Sequence, residues 1–146
     1  MLLTIDVGNT HTTFGVFHYE KLLADWRVST SSRRTSDEWG YILKELITDQ
    51  GIEKKNINQV AISCVVPPVL NTLRELFEKK WINILIVIGP GVRTGLSIRA
   101  EPKETGADRI VNAVAAAHLY GGDLVIIDFG TATTFCAINT SREYLG

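Results

Sequence analysis

Apolar residues along this chain fall into short runs separated by turn residues, a pattern typical of buried strands that alternate with helices. Strands are predicted over residues 2–5, 11–17, 22–28, 60–66, 82–88, 124–127 and 135–138. The run at 124–127 is apolar throughout, which predicts a strand buried on both faces. The order of elements favours an α/β domain.

Three helices are predicted between these strands. Thr35-Ser36-Asp37-Glu38 fits a capping box, after which apolar residues recur at helical spacing up to Ile47, and Gly51 ends the helix. Pro67-Pro68 opens the second helix. The third begins near Thr105 and is apolar on most faces, which predicts that it is buried or covered by a second domain.

One pattern, an apolar strand followed by Asp-x-Gly-x-Thr and a second apolar strand, occurs twice. The first copy is Asp6-Val7-Gly8-Asn9-Thr10 and the second is Asp128-Phe129-Gly130-Thr131-Ala132-Thr133. The two aspartates lie 122 residues apart, about the length of a small domain. The repeat therefore predicts two related halves, residues 1–115 and 116–146, each carrying one hairpin.

The residue types in these turns suit a polyphosphate ligand. Glycine allows the backbone to approach closely and to present N–H groups to an anion, while threonine and asparagine side chains donate hydrogen bonds. A carboxylate at the strand end would act through Mg²⁺ or its waters. The alternative is an ordinary hairpin turn, in which Asp, Gly and Asn are common. No lysine-bearing phosphate loop of the Gly-x-x-x-x-Gly-Lys type is present in the sequence.

The paired hairpins resemble the phosphate motifs of the sugar kinase, heat-shock ATPase and actin superfamily. Within it, the chain resembles type III pantothenate kinase, a family that also includes the Bvg accessory factor homologues. The resemblance implies an α/β, duplicated actin-like (ribonuclease H-like) fold, with a mixed sheet flanked by helices and a truncated second half. The segments that carry it are Asp6–Thr10, Ile62–Pro67, Gly91–Leu96, Gly106–Arg109 with Val111–Ala113, and Asp128–Phe135.

The resemblance also implies a role for individual residues. It assigns pantothenate binding to Gly106, Ala107, Asp108 and Arg109, with Asp108 as the catalytic acceptor of the hydroxyl proton. It places Asp128 at a monovalent cation, K⁺ or NH₄⁺, and Asp6 at Mg²⁺, directly or through water. It assigns ATP binding to Asp6, Val7, Gly8, Asn9, Thr10, His11, Thr12, Thr13 and Thr131.

Several of these residues have a structural alternative. Asp108 stands at capping-box spacing from Thr105 and could simply stabilise a helix start. Arg109 could be a surface arginine and His11 an exposed loop histidine. The chain has Cys136 where the family has an aspartate, and the stretch 98–102 lacks the family's tyrosine.

Composition excludes several classes of protein. Lys and Arg number 15 against 16 Asp and Glu, so no bulk charge draws the chain to nucleic acid or to a membrane surface. No apolar run approaches the roughly 20 residues of a membrane span, and the N-terminal residues lack the basic segment of a signal peptide. Cys64 and Cys136 lie in strand-like runs, which indicates buried, reduced thiols in a cytoplasmic protein.

The function that these features indicate is transfer of the ATP γ-phosphate to the primary hydroxyl of pantothenate, the first step of coenzyme A biosynthesis. The cofactors implied are ATP, Mg²⁺ and a monovalent cation, and the family implies a homodimer. Two alternatives stay open from the sequence. One is another small-molecule phosphotransferase of the same fold, and the other is a non-catalytic ATP-binding accessory or regulatory protein.

Overall fold

The computed structural model describes residues 1–81, 84–89, 91–100 and 105–146. The chain forms two compact units, Met1–Val87 and Ile88–Gly146. Part of the strand predicted at 82–88 and part of the stretch 98–102 lie outside the described residues. The expected division of the duplicated fold near residue 115 stays a prediction.

The first unit is a five-stranded mixed sheet with two helices. Strand β1 pairs in parallel with β4 and antiparallel with β2, and the order across the sheet is β3-β2-β1-β4-β5. The α/β class with a mixed sheet is thereby confirmed. The elements are β1 (Leu2–Val7), β2 (His11–His18), β3 (Lys21–Ser29), α1 (Ser36–Asp49), a 3-10 turn (Lys54–Asn56), β4 (Gln59–Cys64), α2 (Pro67–Lys80) and β5 (Ile84–Val87).

Helix α1 begins at the predicted capping box. The Thr35 hydroxyl accepts from the Glu38 backbone N–H at 3.3 Å, and the Glu38 carboxylate accepts from the Thr35 N–H at 2.7 Å. The bond from the Thr35 N–H, together with one from the Thr35 hydroxyl to the same carboxylate at 3.0 Å, favours the ionised form and lowers the pKa of Glu38. Gly51 follows the helix with a φ of 68°, a conformation that glycine adopts without strain.

The core of the first unit lies between one face of the sheet and the two helices. Trp39 of α1 packs edge-on against Phe14 of β2, with ring centroids 6.0 Å apart. Leu73 and Phe77 of α2 belong to the same buried cluster. Strands β1, β2 and β4 contribute seven apolar side chains that are at most 1% exposed: Leu3, Ile5, Val7, Phe14, Val16, Val60 and Ile62.

The second unit is a four-stranded sheet with one helix. Its order is β6-β9-β8-β7, in which β7 and β8 form the second hairpin. Helix α3 packs on one side of that hairpin, where Ala113 clusters with Cys136 and Ile138. The elements are β6 (Ser97–Ile98), α3 (Ala107–Leu119), β7 (Leu124–Phe129), β8 (Thr133–Ile138) and β9 (Glu143–Tyr144).

Burial in the second unit is less complete than predicted: the strand at 124–127 is not buried on both sides, and α3 is not buried within the described residues, while its cover by a second domain stays a prediction. Along α3, Ala113 is fully buried, whereas Ala115 and Leu119 are exposed. Along β7, burial alternates, so Val125 is 71% exposed and Ile127 is 49% exposed. The physical reason is that a single helix, α3, covers only one side of the hairpin.

Candidate phosphate-binding turns and substrate segment

The first Asp-x-Gly turn lies at the carboxyl end of β1. Asp6 is the second-to-last residue of that strand. It is exposed and pairs with Thr13 across the β1–β2 ladder. The Gly8 N–H donates to the carbonyl oxygen of His11 at 3.0 Å. A Cβ atom on Gly8 would lie 3.2 Å from that oxygen, so a larger residue here would force the turn to shift by a few tenths of an ångström.

A threonine from the end of β3 braces the same turn. The Thr30 hydroxyl donates to the Gly8 carbonyl oxygen at 2.7 Å, and its N–H donates to the Thr10 carbonyl oxygen at 2.9 Å. Because the Thr30 proton is committed to Gly8, the buried Thr12 hydroxyl, 2.9 Å away, donates to Thr30 Oγ1. Thr12, predicted to bind ATP, therefore stabilises the turn by holding the Thr30 hydroxyl in place. Sequence reasoning missed Thr30, which only the β2–β3 register would have found.

Ser63 of β4 is a second polar residue at this edge that sequence reasoning missed. It pairs with Asp6 in the parallel β1–β4 ladder, and side chains paired in this way lie on the same face of the sheet. Ser63 is 5% exposed, and its Oγ has no hydrogen-bond partner within the part of the chain that the structure describes. A buried hydroxyl of this kind costs about 1–3 kcal/mol unless a ligand or a water satisfies it.

The substrate segment forms the start of α3. The N-cap is Gly106, which has no side chain to cap the helix, so Asp108 stands at the second helical position. The helix begins one residue later than the capping-box spacing from Thr105 requires, but Asp108 still lies in its first turn, where an acid stabilises a helix start. The Asp108 Oδ1 atom accepts from the Arg109 N–H at 2.8 Å. All four residues from Gly106 to Arg109 are half-buried.

Helix α3 links this segment to the second Asp-x-Gly turn. Asn112 stands four residues after Asp108, so both side chains lie on one face of the helix. The Asn112 Nδ2 donates to Asp128 Oδ2 at 3.2 Å. Asn112 thus lies on the same helix face as the predicted base, Asp108, and contacts the predicted cation ligand, Asp128, within the second unit. Asn112 is a site residue to which sequence reasoning gave no role.

The second turn is shorter than the first by one residue. Phe129 pairs with Thr133 across three turn residues, whereas Val7 pairs with Thr12 across four. The Gly130 N–H donates to the Ala132 carbonyl oxygen at 3.3 Å, and Thr131 is exposed at the tip. Thr131 is accordingly accessible to a ligand.

A buried hydrogen bond holds β9 to the second hairpin. The Tyr144 hydroxyl donates to the Cys136 Sγ at 3.2 Å, and both side chains are at most 5% exposed. Burial and this hydrogen bond raise the pKa of Tyr144 to about 12. Cys136 is a buried thiol as predicted, whereas Cys64 is half-buried, and burial raises its pKa. Cys136 therefore serves the core of the second unit.

The predicted site residues fall into both units. The first unit holds the ATP segment from Asp6 to Thr13, in which His11 is exposed at the start of β2. The second unit holds Gly106–Arg109, Asp128 and Thr131. That residues of both turns bind the same ATP stays a prediction. Within the described ranges, no three His, Cys, Asp or Glu side chains gather as a metal site, and no helix could cross a membrane.

Comparison with known proteins identifies the family. Residues 2–146 match the sequence model of the family described as type III pantothenate kinase. A curated relative named type III pantothenate kinase, from Thermobifida fusca (strain YX), is 49% identical over 148 residues, which cover 100% of this chain. The alignment covers 57% of that relative, so the chain spans little more than half of its length.

A solved structure shows the fold. It is the activator of the 2-hydroxyisocaproyl-CoA dehydratase from Clostridium difficile with bound ADPNP, and it matches with a TM-score of 0.59 at 13% identity. The match covers 99% of this chain and 43% of that one. The actin-like α/β fold class predicted from the paired hairpins is confirmed. Since the family model extends over nearly every residue, this chain belongs to the type III pantothenate kinase family.

Proposed function

We propose that the complete protein transfers the ATP γ-phosphoryl group to the primary hydroxyl of pantothenate, the first step of coenzyme A biosynthesis. The observation that carries this proposal is the 49% identity to a type III pantothenate kinase over the whole chain. The described geometry supports it, because Asn112 stands one helical turn after Asp108 and donates to Asp128 in the second unit. Fold alone would leave the phosphoryl acceptor undefined.

The first turn is the proposed cradle for the ATP phosphates. Glycine at position 8 and the Thr30 brace hold the backbone from Asp6 to Thr13 in one conformation before nucleotide arrives. A pre-organised turn loses less entropy on binding, which favours affinity. The ADPNP bound by the fold neighbour supports a nucleotide ligand for this fold, and Thr131 of the second turn would contact the same ATP.

The donors near the first turn fit Mg²⁺. Mg²⁺ prefers oxygen ligands and is commonly held by one or two carboxylates together with substrate phosphates. Asp6 supplies a carboxylate, and the unsatisfied Ser63 hydroxyl beside it supplies a donor for a ligand or its water. When bound, Mg²⁺ would neutralise phosphate charge. Asp6 and Ser63 would orient that assembly at the end of β1.

Asp108 is the proposed proton acceptor for the pantothenate hydroxyl. An aspartate carboxylate can accept this proton, although it is a weak base. A weak base suffices because phosphoryl transfer is loose and depends mainly on positioning. Gly106 and Ala107 would bring the backbone close to pantothenate, and the Arg109 guanidinium would attract its carboxylate.

Asp128 is the proposed ligand of a monovalent cation, K⁺ or NH₄⁺. Its carboxylate fits this role, because the Asn112 amide engages one oxygen and thereby fixes the orientation of the group. The proposal also includes a homodimer in the cytoplasm and two halves of the fold, divided near residue 115, that close on the nucleotide. Closure would exclude water from the transferred phosphoryl group.

Phosphorylation assays on the full-length protein test this function. With ATP and Mg²⁺, pantothenate should be phosphorylated, while other small hydroxy acids and sugars should react at least about 10²-fold more slowly. Turnover of a different acceptor would identify another phosphotransferase of the same fold. ATP binding without turnover of any acceptor would identify an accessory protein, and either result would contradict the proposal.

A further inference from the structure

Arg34 lies in the segment between β3 and α1, where two contacts hold its guanidinium group. Its Nη1 atom donates to the Ser29 carbonyl oxygen at 2.6 Å. Its Cζ atom lies 4.9 Å from the centroid of the Trp39 ring, within the range of a cation–π contact. Trp39 is fully buried and belongs to the core of the first unit. Arg34 therefore connects the end of β3 to a rigid part of the molecule.

The carbonyl oxygen that Arg34 binds belongs to the peptide group between Ser29 and Thr30. The N–H of the same peptide group donates to the Thr10 carbonyl oxygen of the first turn at 2.9 Å. Because a peptide group is planar, a bond that fixes its oxygen also fixes the direction of its N–H. A charged donor on the oxygen also polarises the group and strengthens the bond from its N–H. Arg34 thus acts on the residue that braces the first turn.

The place of β3 in the sheet explains why its end needs such a support. In the part of the chain that the structure describes, β3 is an outer strand and pairs with β2 alone. The end of an outer strand opens more readily than a strand that is paired on both sides. Ser29, the last residue of β3, is exposed, and Thr30 follows it beyond the ladder. The bond from Arg34 therefore supports Thr30 from outside the sheet.

We propose that Arg34 is a positioning residue for the ATP cradle at the first turn. Its bond to the Ser29–Thr30 peptide group keeps Thr30 in the place from which it bonds to the turn. This role rests on the proposed function of the turn, and Arg34 fulfils it through Thr30 without contacting the nucleotide. A planar guanidinium group, which stacks and donates at the same time, suits the task better than a lysine ammonium group.

Calorimetry of ATP binding to the full-length protein in the presence of Mg²⁺ tests this role. Arg34→Met retains an apolar stem but removes the donor, and should weaken ATP binding by about threefold to tenfold, because the turn is less well organised before binding. Arg33→Met, the matched control, removes the same charge from an exposed neighbour and should bind ATP as wild type does.

The calorimetry distinguishes two kinds of failure. If the wild type binds no ATP, the proposed function itself fails, and the role of Arg34 fails with it. If the wild type binds ATP and Arg34→Met binds it equally well, only the positioning role is overturned. Equal losses of affinity in Arg33→Met and Arg34→Met would assign the effect to charge and would overturn it too.

Two further variants show whether Arg34 acts through geometry and through Thr30. Arg34→Lys keeps the charge without the planar group and should still bind ATP more weakly than wild type, so wild-type affinity here would contradict the proposal. In a double-mutant cycle, Arg34→Met should cost less ATP affinity in the Thr30→Val background than in wild type, because the hydroxyl that it positions is then absent. Equal losses in the two backgrounds would mean that Arg34 acts independently of Thr30, which the proposal excludes.

Hydrogen–deuterium exchange without nucleotide measures the positioning directly. The Thr30 amide should exchange at least about threefold faster in Arg34→Met than in Arg33→Met, because its bond to Thr10 opens more often. The amides of α2 should exchange alike in both variants. Faster exchange across the whole first unit would show that Arg34 only stabilises the fold, and an unchanged Thr30 amide would show that it does not hold the peptide group. Either result would refute the positioning role.

Discussion

The two Asp-x-Gly hairpins each have an antiparallel ladder of six residue pairs, but different residues hold their turns. The first turn is fixed by Thr30, which directly follows strand β3. Its hydroxyl donates to the Gly8 carbonyl oxygen and its N–H donates to the Thr10 carbonyl oxygen. The second is fixed by Asn112, which comes from a helix and bonds to the carboxylate of Asp128. Thr30 therefore acts on the backbone of its turn, whereas Asn112 acts on the side-chain carboxylate of Asp128.

This difference separates two tasks within one repeated motif. A turn that cradles phosphate must keep its backbone N–H groups in place, and a brace on its carbonyl oxygens does so. A carboxylate that ligates a cation must keep its own orientation, which a hydrogen bond from a helix side chain supplies. The repeat thus specifies strand, turn and acid, whereas residues outside the repeat determine how each copy is used.

The largest expected effect concerns the incomplete cover of the second hairpin. The 146-residue chain, assayed alone, should phosphorylate pantothenate at least about 10³-fold more slowly than the full-length protein, because catalysis by positioning needs both halves of the fold. Steady-state kinetics on the two purified proteins measures the ratio. Turnover by the short chain at the full-length rate would show that the missing cover is irrelevant to the reaction.

The next effect concerns Asp108, which lies on the same helix face as Asn112. In the full-length protein, Asp108→Asn should lower kcat by about 10²-fold or more, the usual scale for loss of a general base. ATP affinity should change little, because the proposed cradle lies at Asp6–Thr13. If Asp108 only stabilised the helix start, the variant would keep its turnover, since asparagine is tolerated at helix starts. A kcat within about threefold of wild type would therefore exclude Asp108 from the mechanism.

The local parts of this architecture could be predicted from the sequence, and the contacts between distant segments could not. The capping box at Thr35–Glu38 and the strands around Asp6 follow from patterns within a few residues. Thr30, Ser63 and Asn112 act through strand register and helix packing, which no local pattern encodes. Their residue types are also common at ordinary surface positions.

The departures from prediction have physical causes as well. The apolar run at 124–127 predicts a buried strand, but burial alternates along it because α3 packs on only one side of the hairpin. Helix α3 begins one residue later than the spacing from Thr105 requires, because helix boundaries are uncertain by a residue or two, and the cap is Gly106. The family resemblance supplied the roles of Asp108 and Asp128, which spacing alone leaves ambiguous.

A smaller effect is expected at the brace of the first turn. Thr30→Val should weaken ATP binding by about tenfold, because the Gly8 carbonyl oxygen loses its donor and the turn relaxes. Thr30→Ser is the matched control, since it retains the hydroxyl. ATP affinity measured by calorimetry on the full-length proteins should therefore rank wild type and serine together, above valine. Equal affinity for all three would show that the brace does not act on the cradle.

At the second turn, the corresponding change should affect the cation and leave ATP binding nearly unchanged. Asn112→Ala should raise the K⁺ concentration required for half-maximal activity by about threefold to tenfold, because Asp128 loses the amide that orients it. The Tm should fall by no more than about 2 °C, since the pair is exposed to solvent. An unchanged K⁺ requirement would show that Asn112 does not act on the cation site.

The smallest effect at neutral pH is expected at Tyr144, where the two hairpins also differ. The counterpart of Tyr144 in the first unit is Leu22, which is 45% exposed, whereas Tyr144 is 1% exposed and donates to Cys136. Burial raises the pKa of Tyr144 to about 12 in the folded chain, against 10.0 for an ordinary tyrosine. The folded state therefore holds this proton more tightly than the unfolded state does. Its contribution to stability is complete below pH 10 and is lost as the pH rises toward 12.

Urea unfolding of wild type and Tyr144→Phe at pH 8 and pH 11 isolates this contribution. At pH 8 the two should differ by no more than about 1 kcal/mol, the net value of one hydrogen bond. At pH 11 the wild type should have lost more unfolding free energy than the variant, since phenylalanine has no proton to release. Other tyrosines and the lysines titrate equally in both proteins and cancel in the difference. A parallel loss in both would mean that the Tyr144 hydroxyl ionises normally, and that its bond to Cys136 does not tie β9 to the second hairpin.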